Sequence, residues 1–262
     1  MTLGFSVDSL LPRARGGGQL RMGLVKLAER DWLQPRPDLA ARAAGFAEWP
    51  QAVQLTPEVD TPGRELAAML GQEGALPEAA LACYEDLCLL TQREGEAVYR
   101  LIGAAVAWPS DWHPAQKIGL PLRALHAPIA GYEEQLATGV DRFMETLRPG
   151  AIYGRCNWFI APCGDRRWLP ERPPQEAFAH VTPANAGETL FVRSERQTLR
   201  RLPQTGAILF TIGIYVEPLG RLSPANIAML GKAVQTLVSG EGDRRGAPAY
   251  AGSLVAYAAA RA

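Results

Sequence analysis

The order of apolar and polar positions predicts the strands of this chain. Two apolar runs, 85–90 and 97–107, flank the polar, Gly-containing stretch 93–96, a pattern typical of a β-hairpin. Residues 152–162 and 207–216 predict two more strands, and 207–216 is rich in β-branched and aromatic side chains. These strands lie far apart in the sequence, so we expect them to meet in one sheet.

Other segments predict helices. An apolar stripe at helical spacing, with charged residues mostly elsewhere, predicts one core-packing helix over 132–147. Ser223-Pro224 combines a capping hydroxyl with proline at the first helical position, and an Ala-rich helix is expected at about 250–260. Residues 188–192 predict a short strand, and 194–201 predict a helix or a tight turn.

Strands interspersed with helices favour an α+β fold. We interpret 1–262 as a single domain, because its length and its 47% apolar content allow one large core. Within that domain we expect a sheet core at about 85–220, an N-terminal wrapping arm at 1–84 and C-terminal helices at 221–262.

Charge argues against some partner classes. The chain has 27 Lys+Arg and 27 Asp+Glu, so its net charge is zero and no general excess of cations predicts binding to nucleic acid or anionic lipid. The four cysteines, Cys83, Cys88, Cys156 and Cys163, lack the C-x-x-C spacing of zinc or iron–sulfur sites, and we interpret them as reduced thiols. No secretory signal or long apolar run is found, so a cytoplasmic location is expected.

The stretch 108–132 is the richest in candidate chemistry, with two of the three histidines, two tryptophans and four prolines. His126 lies in an apolar setting before the predicted helix 132–147. A neutral imidazole there suits iron ligation, although a hydrogen-bonded core histidine is the more common use of one such residue. His113 and His180 lie in loop-like sequence and are interpreted as surface residues.

Several phrases, taken in order, resemble one protein family. They are Met22-Gly23-Leu24 with Trp32-Leu33; Glu85-Asp86-Leu87; Trp108-Pro109-Ser110 with Trp112; Lys117-Ile118-Gly119; Leu125-His126-x-Pro128 with Gly131-Tyr132; Asp141-Arg142-Phe143; Arg155-x-Asn157-Trp158; Arg193-x-Glu195-Arg196-Gln197 through Pro203; and Phe210-Thr211-Ile212. This series resembles the haem-dependent oxidative N-demethylases, the α subunits of dimethylamine monooxygenase, over roughly residues 20–220.

The resemblance implies a PAS-like antiparallel sheet that binds haem b through a proximal histidine. It implies oxidation of dimethylamine by O2 to methylamine and formaldehyde, with electrons from a partner that carries flavin and an iron–sulfur cluster. A folate-binding subunit is a further implied partner. The chain has neither a four-thiolate pattern nor a Gly-rich dinucleotide motif, so the reductase is expected to be a separate polypeptide.

The resemblance also suggests site residues. His126 is the expected iron ligand, and Lys117, Arg155 and Arg193 are candidates for the haem propionates, although ordinary surface charges explain them about as well. The remaining expected cofactor contacts in the matched phrases are Asn157, Trp158 and Tyr132. Glu195 is the expected catalytic carboxylate near the substrate amine, with Arg196 beside it to bind O2 or to pair with Glu195. A helix N-terminus with surface ion pairs is the alternative for that run.

Two positions depart from the family pattern. Gly213 follows Phe210-Thr211-Ile212 where the family has arginine, and Ala130 stands where the family has a second proline. The glycine removes a guanidinium, which would leave room for a larger substrate or mark a haem protein without this chemistry. A haem-binding PAS gas or redox sensor, and a haem-free structural subunit, are therefore the alternatives to an amine-oxidising enzyme.

Overall fold

The computed structural model describes residues 3–13, 20–237 and 241–261. Over these residues the strands form one antiparallel sheet, with the bounds β1 Val25–Leu27, β2 Val53–Leu55, β3 Asp86–Gln92, β4 Tyr99–Ala105, β5 Ile152–Ala161, β6 Phe191–Arg201 and β7 Ile208–Pro218. Their order across the sheet is β1-β5-β6-β7-β3-β4-β2. The predicted α+β class is confirmed, whereas its PAS-like identity stays a prediction.

Helices flank the sheet before β3, between β4 and β6, and after β7. Their bounds are α1 Val7–Leu10, α2 Leu39–Ala47, α3 Asp60–Met69, α4 Leu76–Leu81, α5 Pro114–Lys117, α6 Leu122–His126, α7 Thr138–Thr146, α8 Pro174–Ala177, α9 Ala186–Thr189, α10 Pro224–Val234, α11 Glu241–Arg244 and α12 Ala247–Ala259. A π-helical turn, Glu133–Ala137, leads directly into α7. The predicted helix over 132–147 is therefore a π turn joined to an α-helix.

The strand predictions hold except at β6. The hairpin is β3 and β4, and the segments at 152–162 and 207–216 are β5 and β7. The prediction for 188–201 is wrong, because 191–201 is one strand of 11 residues between β5 and β7. The charged side chains that argued against a strand have partners on both faces of the sheet, so the local sequence does not resemble an ordinary half-buried strand.

One helix start is built differently from its prediction. Pro224 begins α10 as expected, but the Ser223 hydroxyl makes no cap to the helix backbone. Both the Ser223 amide and its hydroxyl donate to Asp8 Oδ1 at 2.9 Å. The serine therefore ties the start of α10 to the N-terminal residues.

The two faces of the sheet carry different layers, because successive side chains of a strand point to opposite sides. One face, which we call the arm face, packs on the larger hydrophobic cluster, which includes Leu3, Leu10 and Trp32. The other, which we call the cleft face, packs on a smaller cluster that includes Leu122 of α6 and Met144 of α7.

The N-terminal segment passes from one face to the other. The Leu20 amide donates to Gln135 Oε1 beside α7 at 2.9 Å. Strand β1 then pairs with β5 at the edge of the sheet. Beyond it, the Arg200 guanidinium lies 4.1 Å from the centroid of a Trp32 ring on the arm face. Residues 20–34 thus wrap around one edge of the sheet.

Two further observations concern the cysteines and the lengths of the helices. All four cysteines are free thiols, three of them buried and Cys163 partly exposed. Within the described ranges, no helix has both the length and the apolar character needed to cross a bilayer.

Candidate functional site

His126 ends α6 and is held there by its own helix. Its Nδ1 lies 2.8 Å from the Leu122 carbonyl oxygen, one helical turn earlier. A proton on Nδ1 makes this contact a hydrogen bond and leaves the lone pair on Nε2. A ring oriented by a backbone carbonyl in this way is the usual arrangement of a metal-ligating histidine.

Burial favours the neutral form of the His126 imidazole. Burial lowers its pKa below the ordinary value, and the bond to the Leu122 carbonyl opposes that effect. The positive charges of Lys117 and Arg155 lower the pKa further. The side chain nevertheless retains partial exposure. A lowered pKa favours the neutral imidazole, which is the form that coordinates a metal.

A chain of polar side chains crosses β5 and β6 on the cleft face. An Arg155 terminal nitrogen donates to Asn157 Oδ1 at 2.6 Å, and Asn157 Nδ2 donates to Glu195 Oε2 at 3.3 Å. Gln197 Nε2 donates to the same carboxylate oxygen at 3.0 Å. The strand register explains the arrangement, since Arg155 lies opposite Gln197 and Asn157 opposite Glu195. These four residues form one network, which we call the amide–carboxylate network.

Arg155 is the member of the network closest in character to an anion site. Its Nε is buried and has no hydrogen-bond partner among the described residues. Burial lowers its pKa, and the nearby Glu195 opposes that effect. A guanidinium that is both desolvated and incompletely bonded favours an anion beside it.

Lys117 also belongs to the His126 side of the molecule. Its ammonium donates to the Leu125 carbonyl at 2.7 Å, next to His126 in the chain. Five of the residues predicted from the sequence therefore form two groups, Lys117 near His126 and Arg155 with Asn157 and Glu195, and the charge of Arg155 acts on His126. Tyr132 joins them through a ring stack with His126, whose centroids are 4.4 Å apart.

Arg193 has a different setting from the one expected of a propionate partner. Its side chain is fully buried and donates to Ser110 Oγ at 2.8 Å and to backbone carbonyls of Trp108, Pro109, Asp165 and Arg166. Burial lowers its pKa to about 10. With its donors used by two loops, Arg193 holds those loops to β6.

Arg196 and Trp158 lie on the arm face, away from His126. Arg196 donates to the Trp32 carbonyl at 2.8 Å and to the Asp31 carbonyl, and Trp158 packs against the larger cluster. Arg196 was expected beside Glu195 near the substrate. The alternation of side chains along β6 separates the two, so Arg196 is not part of the cleft.

Gln197 is the network member that the sequence reasoning did not select. In the helix or tight turn predicted for 194–201, residues 195 and 197 would not share a face. In a strand they do. The signal in the sequence is the spacing of two between Glu195 and Gln197, which places both side chains on one face only if 191–201 is a strand.

The departure at Gly213 also lies on the arm face. Gly213 pairs with Arg196, and a Cβ there would lie 3.2 Å from Tyr215 Cε2 and 3.5 Å from Glu85 Cγ. The expectation that this glycine leaves room for a larger substrate stays a prediction, and the position faces the side of the sheet opposite the amide–carboxylate network. The other histidines are apart from the cleft network, His113 beside Trp49 and His180 exposed.

An apolar pocket of about 470 Å³ opens beside this network on the cleft face. Its lining includes Met22, Leu24, Phe143 and Tyr153, with Arg148 also contributing. His126 is not among its lining residues, and the lining contains neither a histidine nor a cysteine. The surroundings of His126 stay the predicted site, and the pocket is a separate feature of the same face, with Tyr153 of β5 in its lining.

The donor set of the cleft suits haem better than a bare metal ion. Among the described residues, no group of three His, Cys, Asp or Glu side chains could hold a metal ion. One imidazole is enough for haem, because the porphyrin supplies four ligands of its own. The cations of Lys117 and Arg155 suit the propionates, and Leu125 and Phe210 are among the partly buried apolar side chains of the adjoining cluster. The residues present therefore fit the group.

Comparison with known families agrees with the resemblance seen in the sequence. The family model described as haem-dependent oxidative N-demethylase, alpha subunit-like, matches residues 47–247. This match covers most of the chain and includes His126 and the whole amide–carboxylate network. The chain belongs to the haem-dependent oxidative N-demethylase, alpha subunit-like family.

Proposed function

We propose that this protein is a haem-dependent monooxygenase that removes a methyl group from a small secondary amine, dimethylamine or a related compound. The observation that carries the proposal is the grouping of His126, Arg155, Asn157 and Glu195 on one side of the sheet. The reaction requires an iron ligand and a substrate-binding carboxylate, and these residues can supply both from the same side of the sheet.

Haem b would be held by three groups of the cleft. His126, whose Nδ1 is bound to the Leu122 carbonyl, would be the iron ligand. Arg155 and Lys117 would neutralise the propionates, and the Nε of Arg155, which has no partner among the described residues, would be available as a donor. The bound haem supplies the chemistry by which O2 is reduced and activated.

Glu195 would hold the substrate. A secondary amine is protonated near neutral pH, and a carboxylate is the natural partner of its ammonium group. Asn157 and Gln197 both donate to Glu195 Oε2, which fixes the carboxylate in place and directs the substrate toward Oε1. Glu195 can also accept the ammonium proton, which frees the nitrogen lone pair.

The overall reaction sets the need for a partner. Amine and O2, with two electrons and two protons, give the demethylated amine, formaldehyde and water. The electrons would come from a separate flavin and iron–sulfur reductase, and a folate-binding subunit would accept the formaldehyde. The family description as an alpha subunit supports a multi-subunit enzyme.

The first test is the absorption spectrum of the purified protein after expression with ample haem. Wild type is expected to show a Soret band that His126→Ala abolishes or shifts, whereas His113→Ala leaves it unchanged. A colourless wild-type protein, or one whose spectrum ignores His126→Ala, would contradict the proposal.

The second test is turnover. With an electron donor, the protein is expected to release formaldehyde from dimethylamine, and Glu195→Gln is expected to lower kcat/KM on the order of 100-fold. Reversible O2 binding without formaldehyde from any small secondary amine would instead favour a haem-based gas sensor.

A further inference from the structure

Tyr132 covers the His126 imidazole with its own ring. The two ring centroids are 4.4 Å apart and the planes differ by 7°, so the rings are stacked face to face. Tyr132 is buried with 4% of its surface exposed, whereas the imidazole keeps part of its surface open. One face of the imidazole is therefore covered by the buried Tyr132 ring.

The backbone between the two residues is built to return the chain to His126. The Ile129 amide donates to the His126 carbonyl at 2.9 Å, and the Tyr132 amide donates to the Ile129 carbonyl at 3.1 Å. Gly131 has a φ of +77°, a conformation that favours glycine. The π-helical turn begins immediately after Tyr132. Such turns are frequent at functional sites.

The phenol hydroxyl does not explain this placement. It is buried and has no hydrogen-bond partner among the described residues. Burying an unpaired hydroxyl is unfavourable, so phenylalanine would serve packing alone at least as well. The well-defined contact is that of the ring with the imidazole.

We propose that Tyr132 is a positioning residue whose ring, together with the Leu122 carbonyl, fixes the plane of the His126 imidazole for iron ligation. The Leu122 carbonyl restrains the imidazole through its hydrogen bond to Nδ1. The stacked Tyr132 ring then prevents the imidazole from rotating about that hydrogen bond. This inference rests on the proposed role of His126 as the haem ligand. It assigns the function to the aromatic face and not to the hydroxyl.

The direct test uses the iron–histidine stretching band of the ferrous haem protein, measured by resonance Raman spectroscopy. Tyr132→Phe keeps the stack and is expected to leave the band unchanged. Tyr132→Leu removes the stack and is expected to broaden and shift the band. Equal bands in wild type and Tyr132→Leu would overturn the inference.

A second measurement tests the stack without the covalently attached His126 side chain and without catalysis. In His126→Gly, free imidazole can occupy the vacated position, and its dissociation constant is read from the Soret band. Adding Tyr132→Leu is expected to weaken imidazole binding about 3- to 10-fold, because a stacked pair is lost, whereas adding Tyr132→Phe changes it little. Equal affinities in all three proteins would overturn the inference.

The two proposals fail in different ways. If wild type binds no haem, or if His126→Ala keeps the wild-type spectrum, the proposed function fails. If His126 ligates the iron but both Tyr132 variants behave like wild type, only the positioning role fails. Circular dichroism of the Tyr132 variants checks that they are folded.

Discussion

The two faces of β6 use neighbouring residues for different tasks. On the cleft face, Glu195 accepts hydrogen bonds from Gln197 of the same strand and from Asn157 of the neighbouring strand β5. On the arm face, Arg196 and Arg200 hold residues 31–32 by hydrogen bonds and by contact with the Trp32 ring. One strand therefore supports both the candidate site and the attachment of the N-terminal segment.

The two faces of β6 should therefore respond differently to substitution, one in the stability of the fold and the other in ligand binding. Side chains on the arm face are buried under the N-terminal segment, so their loss should mainly lower the free energy of unfolding. Gln197 on the cleft face keeps partial exposure, and the cleft network bonds mostly to itself. Substitutions there should change ligand binding while the fold persists.

The largest expected effect is that of Arg196→Met. The substitution leaves the Asp31 and Trp32 carbonyls without this donor, and each buried polar group left unpaired costs about 1–3 kcal/mol. We expect the free energy of unfolding to fall by about 2–5 kcal/mol in urea denaturation. Glu195→Gln, one residue away, is the control and should cost less than about 1 kcal/mol. Similar losses for the two variants would contradict the division between faces.

The second prediction concerns pH and the buried Glu85 on the arm face. Glu85 Oε1 accepts the Gln34 amide at 2.8 Å, while Oε2 has no partner among the described residues. Burial raises its pKa from 4.5 to about 7. The folded protein then binds this proton more tightly than the unfolded chain, so stability falls as pH rises between these values.

The expected loss is about 3 kcal/mol, complete somewhat above pH 7. The free energy of unfolding measured between pH 4 and pH 8 checks it. Glu85→Gln should flatten this part of the profile, whereas Glu29→Gln, at an exposed carboxylate, should keep the slope. An unchanged slope in Glu85→Gln would rule out Glu85 as its source.

A smaller effect is expected at Gly213. In Gly213→Ala the new Cβ lies 3.2 Å from Tyr215 Cε2, a tight contact that we expect to destabilise the protein by about 1 kcal/mol. The haem spectrum should not change, because the contact is on the arm face. Gly252→Ala is the control, since no atom beyond the adjacent residues and the nearby backbone of its own helix lies within 4 Å of a Cβ at this position. That variant should be stabilised by about 0.5–1 kcal/mol.

A comparably small effect on stability is expected for Gln197→Leu. It removes one hydrogen bond to Glu195, and the free energy of unfolding should change by less than about 1.5 kcal/mol. Because Glu195 is then less firmly held, the KM for the amine should rise about 2- to 10-fold. Steady-state kinetics check this. An unchanged KM would show that Gln197 has no role in substrate binding.

Local patterns were sufficient for much of the fold. The hairpin of β3 and β4, the strands β5 and β7 and the start of α10 follow from period and from turn or proline signals. Strand β6 did not, since its charged residues are satisfied by partners distant in sequence, such as the backbone at 31–32 and at 108–110. A local pattern contains no information about such partners.

The site shows the same limit. The resemblance selected His126 together with Arg155, Asn157 and Glu195, the last three of which the structure joins in one network. It also selected Arg193, Arg196 and Trp158, which the structure places in loop anchoring or on the arm face. Adjacent letters in a motif suggest a shared site, but in a strand they face opposite ways, so only the register of β5 and β6 could separate them.

The course of the N-terminal segment also has a consequence for biosynthesis. Val25 pairs with Gly154, and Trp32 lies against Arg200. The N-terminal residues can therefore form their native contacts only after residues more than 100 positions later have been synthesised. During translation, Trp32 and the neighbouring apolar side chains emerge long before the surface that covers them. Contacts so distant in sequence slow folding and prolong exposure to aggregation. We therefore expect the nascent chain to depend on chaperones until β6 has left the ribosome.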